Sequence, residues 1–140
     1  MSIKDIEKSM KRAKSGGTYN FFQTKYIDFD NESYTFEITF PKECLNPFQN
    51  VQGGMVVSAL DEITSISVNI LTKDKMLPSS TDIHVTFHRP TKAGVVIGKA
   101  KIIKLGRTIV SVEGKLFSSD NKLLASALHT AILTDTSTII

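Results

Sequence analysis

Residues 53–71 decide the fold and read Gly-Gly-Met-Val-Val-Ser-Ala-Leu-Asp-Glu-Ile-Thr-Ser-Ile-Ser-Val-Asn-Ile-Leu. Wound as a helix, this stretch is apolar around most of its circumference, which is typical of a helix covered by the rest of the protein. Asp61 lies two turns into it. An ionised carboxylate in an apolar place is costly to desolvate unless it is paired or has a chemical task. The sequence therefore predicts a buried central helix with Asp61 as a catalytic candidate, and a paired structural acid is the alternative.

The bulk properties of the chain predict one domain over residues 1–140. A single cysteine, Cys44, excludes an internal disulfide, and the first residues do not resemble a secretory signal, so we expect a cytoplasmic protein. The pair Asp61-Glu62 argues against a membrane span at residues 53–71. A net charge of +3 without a run of Lys and Arg does not indicate nucleic-acid binding and fits a small anionic ligand better.

The flanking segments have the periodicity of a mixed α+β domain. Ser2 and Asp5 form a capping-box pattern that begins an N-terminal helix within residues 1–17. A two-residue alternation between 21 and 40, interrupted at 30–33, predicts a β-hairpin. Further strands are predicted at 83–87, 95–105, 108–117 and 123–133, followed by a tail at 135–140. One curved antiparallel sheet wrapped around the central helix accounts for this order.

Several motifs, taken in their order, resemble the acyl-CoA thioesterases of the PaaI-like hotdog superfamily. They are Asn-Pro-Phe-Gln-Asn-Val-Gln-Gly-Gly at 46–54, Asp61, Ser-Thr-Asp-Ile-His-Val-Thr-Phe-His-Arg-Pro at 80–90, Gly94, Gly106-Arg107 and the strand 125–133. The resemblance covers roughly residues 20–134. It implies the hotdog fold, hydrolysis of an acyl-CoA thioester without a metal or organic cofactor, and a homodimer or a dimer of dimers.

Hydrolysis of a thioester needs a nucleophile or a base and donors for the developing oxyanion. Asp61 can be either the nucleophile or the general base. The Gly53 amide, at the start of a helix, is an unsatisfied donor with the helix dipole behind it. Gly53 and Gly54 can alternatively serve only to allow a tight turn into the helix. Gln52 stands where the family often has histidine, and it can hydrogen-bond near the thioester carbonyl.

Gly53 and Asp61 are too far apart to act on one carbonyl. Eight residues of helix span about 12 Å, so the donor and the carboxylate must come from different copies of the chain. The resemblance implies that Asn46, Gln52 and Gly53 come from one subunit, and Asp61 and Ser80 from the other. Asn46 as a plain turn residue and Ser80 as the start of a strand are the alternatives.

The phosphates of CoA favour cations at the rim of the site, and Arg89, Lys104 and Arg107 are the candidates at strand ends and turns. The resemblance adds Phe87 and Gly106 to this group. Solvated surface charge is the alternative interpretation for each of the cations.

Other chemistries are less consistent with the sequence. His84 and His88 are separated by about 13 Å along a strand, too far to ligate one metal ion. Glu62 points about 100° away from Asp61 and cannot share its substrate. A hotdog hydratase or dehydratase would need a histidine near the central helix, and none precedes residue 84. A non-catalytic acyl-CoA or lipid-binding module is the remaining alternative.

Overall fold

The computed structural model describes residues 2–139, so Met1 and Ile140, at the ends of the predicted helix and tail, lie outside the described residues. Its helices are α1 (Ile3–Lys14), α2 (Gly17–Phe21) and α3 (Gly53–Leu71). Its strands are β1 (Lys25–Asp30), β2 (Ser33–Phe40), β3 (Met76–Phe87), β4 (Gly94–Leu105), β5 (Ile109–Phe117) and β6 (Leu123–Asp135). The six strands form one antiparallel sheet in the order β1-β2-β4-β5-β6-β3.

The sheet wraps around α3, and this arrangement confirms the predicted hotdog fold. Leu60, Ile63 and Ile70 on the covered face of α3 are fully buried against the inward-facing side chains of the strands. Gly114 on β5 lets the sheet come close, since a Cβ there would lie 2.9 Å from Thr64 Cγ2. By length and apolarity alone α3 could cross a membrane, but half of it is buried inside the fold, as in the core helix of a soluble protein.

The N-terminal segment has one more helix than the sequence predicted. Ser2 and Asp5 form the expected capping box of α1. The chain then forms α2 between the predicted helix and the predicted hairpin, and β1 begins at Lys25, four residues later than predicted. The turn of the predicted hairpin is confirmed, with Asn31 and Glu32 at positive φ as a two-residue hairpin loop requires.

The C-terminal segment is more ordered than the predicted tail. Asp135 closes β6, and Thr136–Thr138 form a short 3₁₀ turn. The Thr136 hydroxyl donates to the carbonyl oxygen of Asp74 at 2.9 Å, which holds this turn against the segment that follows α3.

Candidate active site

Asp61 lies on the open side of α3, so the expectation that its carboxylate is buried is wrong. The side chain is 50% exposed. Ser65 Oγ is 3.4 Å from Asp61 Oδ1, one turn along the helix. Ser58, three residues before Asp61 on the helix, donates instead to the Gly54 carbonyl at 2.9 Å. Asp61 Oδ2 has no hydrogen-bond partner among residues 2–139, which leaves it open to a substrate or a water molecule.

The neighbouring Glu62 is the carboxylate that the fold encloses. Its two oxygens accept hydrogen bonds from Thr18 Oγ1 at 2.5 Å and Thr24 Oγ1 at 2.7 Å. Burial raises the pKa of Glu62, and the two hydroxyl donors oppose that shift. Glu62 therefore fastens α2 and the residues before β1 to the central helix, which is a structural task.

A histidine from the last strand lies beside Asp61, and the sequence did not identify it as a site residue. His129 Nε2 is 2.7 Å from Ser80 Oγ and 3.7 Å from Asp61 Oδ1, while Nδ1 is 2.7 Å from Thr64 Oγ1. The imidazole is only 2% exposed. Burial lowers its pKa, and the carboxylates of Asp61 and Asp82 oppose that shift.

The signal that could have revealed His129 is its position in the alternation of β6. Ala127, Ala131 and Leu133 are buried on the inward face of that strand, and His129 shares their phase. The premise that no histidine approaches the central helix was wrong, because it considered only the chain before residue 84. The imidazole nevertheless lies beneath the Ser80 hydroxyl, away from solvent, so this position does not favour a dehydratase.

The start of α3 presents backbone donors. Gln52 is the N-cap, and its Oε1 accepts from the Met55 N–H at 3.2 Å. The backbone N–H groups of Gly53 and Gly54 have no protein acceptor within residues 2–139. These two donors, backed by the helix dipole, form one half of a potential oxyanion site. Gln52 supports the helix start through its oxygen and keeps its Nε2 group as a donor.

Asn46 has a turn role that leaves its amide nitrogen free. Its Oδ1 accepts from the backbone N–H of Phe48 at 3.0 Å and of Asn50 at 3.2 Å. These bonds hold the loop that leads to Gly53. They also fix the orientation of the side chain, so that Nδ2, which donates to no other described residue, is the end available to a ligand.

Phe87 lies against the start of α3, since a Cβ built on Gly53 would be 3.4 Å from the Phe87 ring. The ring is 54% exposed. It contributes to an open pocket of about 310 Å³ that also includes Val56 and Arg89. Arg89 Nη1 donates to the Leu123 carbonyl at 2.7 Å, which fixes its side chain at this end of the sheet.

The other predicted CoA contacts lie at the opposite end of the sheet. The loop with Gly106 and Arg107 joins β4 to β5, and Thr108 accepts a backbone hydrogen bond from Leu133 near the end of β6. Gly106 is needed there, because a Cβ would be 2.8 Å from the Ile109 carbonyl oxygen. Within one chain, Phe87 and Arg89 lie at one end of the sheet and Arg107 lies at the other. They cannot contact the same part of a CoA molecule.

Two groups of site residues result. The first, which we call the donor half, contains Asn46, Gln52, Gly53, Phe87 and Arg89. The second, the acid half, is built on Asp61, Ser80 and His129, with Lys104 and Arg107 towards the same end of the sheet. The structure places Ser80 and His129 beside one another near Asp61, and Phe87 beside Gly53, and it separates these two groups along α3 and β3.

Comparisons with known proteins agree with this architecture. The family model described as the thioesterase superfamily matches residues 48–125. A candidate esterase of Saccharolobus solfataricus is 27% identical over 90% of this chain and 88% of its own length. The thioesterase-like, phenylacetic acid degradation-related protein of Ralstonia eutropha JMP134 is 27% identical, with a TM-score of 0.77 over 89% of this chain and 98% of that chain. The smu.793 protein of Streptococcus mutans, solved bound to acetyl CoA, is 15% identical, with a TM-score of 0.71 over 80% and 89%.

Proposed function

Because the chain belongs to the thioesterase superfamily, we propose that it hydrolyses an acyl-CoA thioester to the free acid and CoA. The observation that carries this proposal is the half-exposed Asp61 carboxylate, held on the central helix beside the Ser80 hydroxyl and His129. The acetyl CoA held by the Streptococcus mutans protein supports a CoA thioester as the substrate class, since that protein has the same fold.

Asp61 supplies the reactive oxygen in this proposal. As a general base, it takes a proton from water while the water oxygen adds to the thioester carbon, and the neighbouring Ser80 oxygen accepts the second hydrogen of that water. The tetrahedral intermediate expels the CoA thiolate, and the proton passes from Asp61 to its sulfur. As a nucleophile, Asp61 would instead add to the thioester carbon and expel the CoA thiolate, which leaves a mixed anhydride that water then hydrolyses.

The donor half stabilises the oxyanion. The N–H groups at Gly53 and Gly54 and the Asn46 Nδ2 group are all donors without an acceptor in the described part of the chain. Such donors are effective because they are fixed before the charge develops, and here the turn at Asn46 and the cap at Gln52 fix them.

A complete site takes one half from each of two subunits. α3 is continuous from Gly53 to Leu71, so Gly53 and Asp61 are separated by about 12 Å along the helix axis. β3 is an edge strand of 12 residues, and its outer backbone groups pair with no other strand within residues 2–139. Such an edge is a template for another chain. Antiparallel pairing of two copies about an axis near His84 would set Ser80 opposite Phe87 of the partner subunit, joining an acid half to a donor half.

The proposal is tested with a panel of acyl-CoAs of different chain length, including aryl thioesters, and a thiol-release assay. We expect turnover of at least one substrate class well above the rate without protein. Binding of acyl-CoA without release of CoA would contradict the hydrolase and favour the acyl-CoA-binding module.

Reversing the charge of a rim cation should affect capture of CoA and leave bond cleavage unchanged. Lys104 and Arg107 form no ion pair with described residues. We expect Arg107→Glu to raise KM for acyl-CoA severalfold at low salt with little change in kcat, because the nucleotide end carries the charge and the thioester is neutral. A truncated thioester without the nucleotide should show no such effect.

The control for this experiment is Lys25→Glu, an equal change of charge on β1 at the far edge of the sheet. KM should stay at the parental value in that variant. Equal KM changes at Lys25 and Arg107, or equal effects on the full and truncated substrates, would show that Arg107 is an ordinary surface cation.

A further inference from the structure

The buried imidazole of His129 has no part in the reaction described above, although it lies beside Ser80 and Asp61. A buried polar side chain with both ring nitrogens in hydrogen-bond contact holds a defined orientation. Its partners are Thr64 on α3 and Ser80 on β3, two elements that no other described side-chain hydrogen bond links directly. Its register neighbours Ile83 and Val112 are apolar.

The hydrogen bonds around the imidazole fix where its proton lies. Thr64 Oγ1 is 2.7 Å from the Leu60 carbonyl oxygen and 3.0 Å from that of Asp61. Carbonyl oxygens only accept, so the Thr64 hydrogen points to them and its oxygen accepts the Nδ1–H of His129. In the neutral imidazole, Nε2 is then an acceptor, and the hydrogen bond at 2.7 Å is donated by the Ser80 hydroxyl.

A bulge in β3 directs Ser80 towards this partner. The register with β6 shifts between Ser80 and Asp82, so Thr81 is an extra residue on the edge strand. Ser80 faces Ala131 and Ile83 faces His129, and both partners point inward. Without the extra residue, Ser80 and Ile83 would lie on opposite faces of the sheet. The bulge therefore places the hydroxyl above the imidazole.

We propose that His129 is a positioning residue, which holds the Ser80 hydroxyl so that its oxygen lone pairs face the water beside Asp61. The proposal rests on the thioesterase function stated above. With the serine hydrogen turned inward, the attacking water can donate one hydrogen to Asp61 and the other to Ser80. Its lone pair is then aimed at the thioester carbon, and the reacting proton still passes to Asp61 and on to the CoA sulfur.

Two substitutions of His129 separate positioning from packing. The amide of His129→Gln can reach the place of Nε2 and accept from Ser80, whereas that of His129→Asn reaches only the place of Nδ1 and keeps Thr64 as its partner. We expect His129→Gln to retain kcat within a few-fold. His129→Asn should lower kcat about 10- to 100-fold at nearly constant KM, as should Ser80→Ala. The double variant Ser80→Ala/His129→Asn should lose no more than Ser80→Ala alone.

The results of these experiments distinguish a failure of the positioning role of His129 from a failure of the proposed thioesterase function. Parental kcat in folded His129→Asn would make the histidine structural while the thioesterase function stands. Ser80 is exposed, so Ser80→Ala will fold even if His129→Asn does not, and parental kcat in Ser80→Ala overturns the positioning role independently. An additive loss in the double variant would show that His129 acts by another route. If the parental protein releases no CoA from any thioester, the proposed function itself fails.

Discussion

Asp61→Asn should lower kcat for acyl-CoA hydrolysis at least about 100-fold and leave the protein folded. The amide is nearly isosteric with the carboxylate, but it can neither take a proton from water nor attack the thioester. Stability should change little, because Asp61 is half exposed and Ser65, its one hydrogen-bond donor among residues 2–139, is at a long 3.4 Å. Steady-state kinetics with the thiol-release assay, together with a thermal melt, measures both quantities.

Glu62→Gln is the matched control on the same helix. The carboxylate accepts from the hydroxyls of Thr18 and Thr24 through both oxygens, whereas an amide has one acceptor oxygen and no charge, so one hydroxyl must reverse its role and both hydrogen bonds weaken. We expect a lower melting temperature with kcat close to the parental value, the reverse of the result for Asp61→Asn. Parental turnover by Asp61→Asn would mean that Asp61 is structural and that the proposed chemistry is wrong.

Labelled water then separates the two roles of Asp61. In a single turnover in ¹⁸O-water, a nucleophilic carboxylate transfers one of its own oxygens to the acid and gains a labelled one when water attacks the carbonyl carbon of Asp61 in the anhydride. A general base gains no label. A water-orienting role of Ser80 is compatible with Asp61 as a general base. It is also compatible with the step in which water hydrolyses the anhydride of a nucleophilic Asp61.

The elements could be predicted from sequence where local pattern and tertiary environment agree. The bounds of α3 follow from an apolar run beginning at two glycines and ending before Thr72. In β2, Tyr34, Phe36, Ile38 and Phe40 alternate strictly, and all four are buried on one face. α2 was missed because five residues carry too little helical periodicity, and the helix is held by a distant contact between Thr18 and Glu62.

Most residues of the candidate site could be predicted from the sequence, but their positions relative to one another in the fold could not. Apolar neighbours in sequence suggested that Asp61 is buried, but they lie on other faces of α3, and its side chain is half exposed. His129 meets Thr64 and Ser80 only through strand pairing between β6 and β3, which no local pattern encodes. The bulge at Thr81 likewise depends on the register of two strands far apart in sequence.

The division of the site between subunits predicts that two inactive variants restore activity to each other. Asn46→Asp is suited to disable the donor half. Its carboxylate oxygen still accepts from Phe48 and Asn50 and keeps the turn, while the Nδ2 donor becomes a negatively charged acceptor facing the oxyanion. We expect its kcat to fall by about 100-fold or more, with folding retained.

Mixing equal amounts of Asp61→Asn and Asn46→Asp under conditions that exchange subunits should then recover activity. About half of the dimers are mixed, and each mixed dimer has one site with both changes and one with neither. Recovery should therefore approach about a quarter of the parental activity, far above either variant alone. A mixture of Asp61→Asn with Ser80→Ala is the matched control, since both changes fall in the acid half and every site keeps a defect. No recovery in the first mixture, with exchange confirmed by mass spectrometry, would place the whole site within one chain.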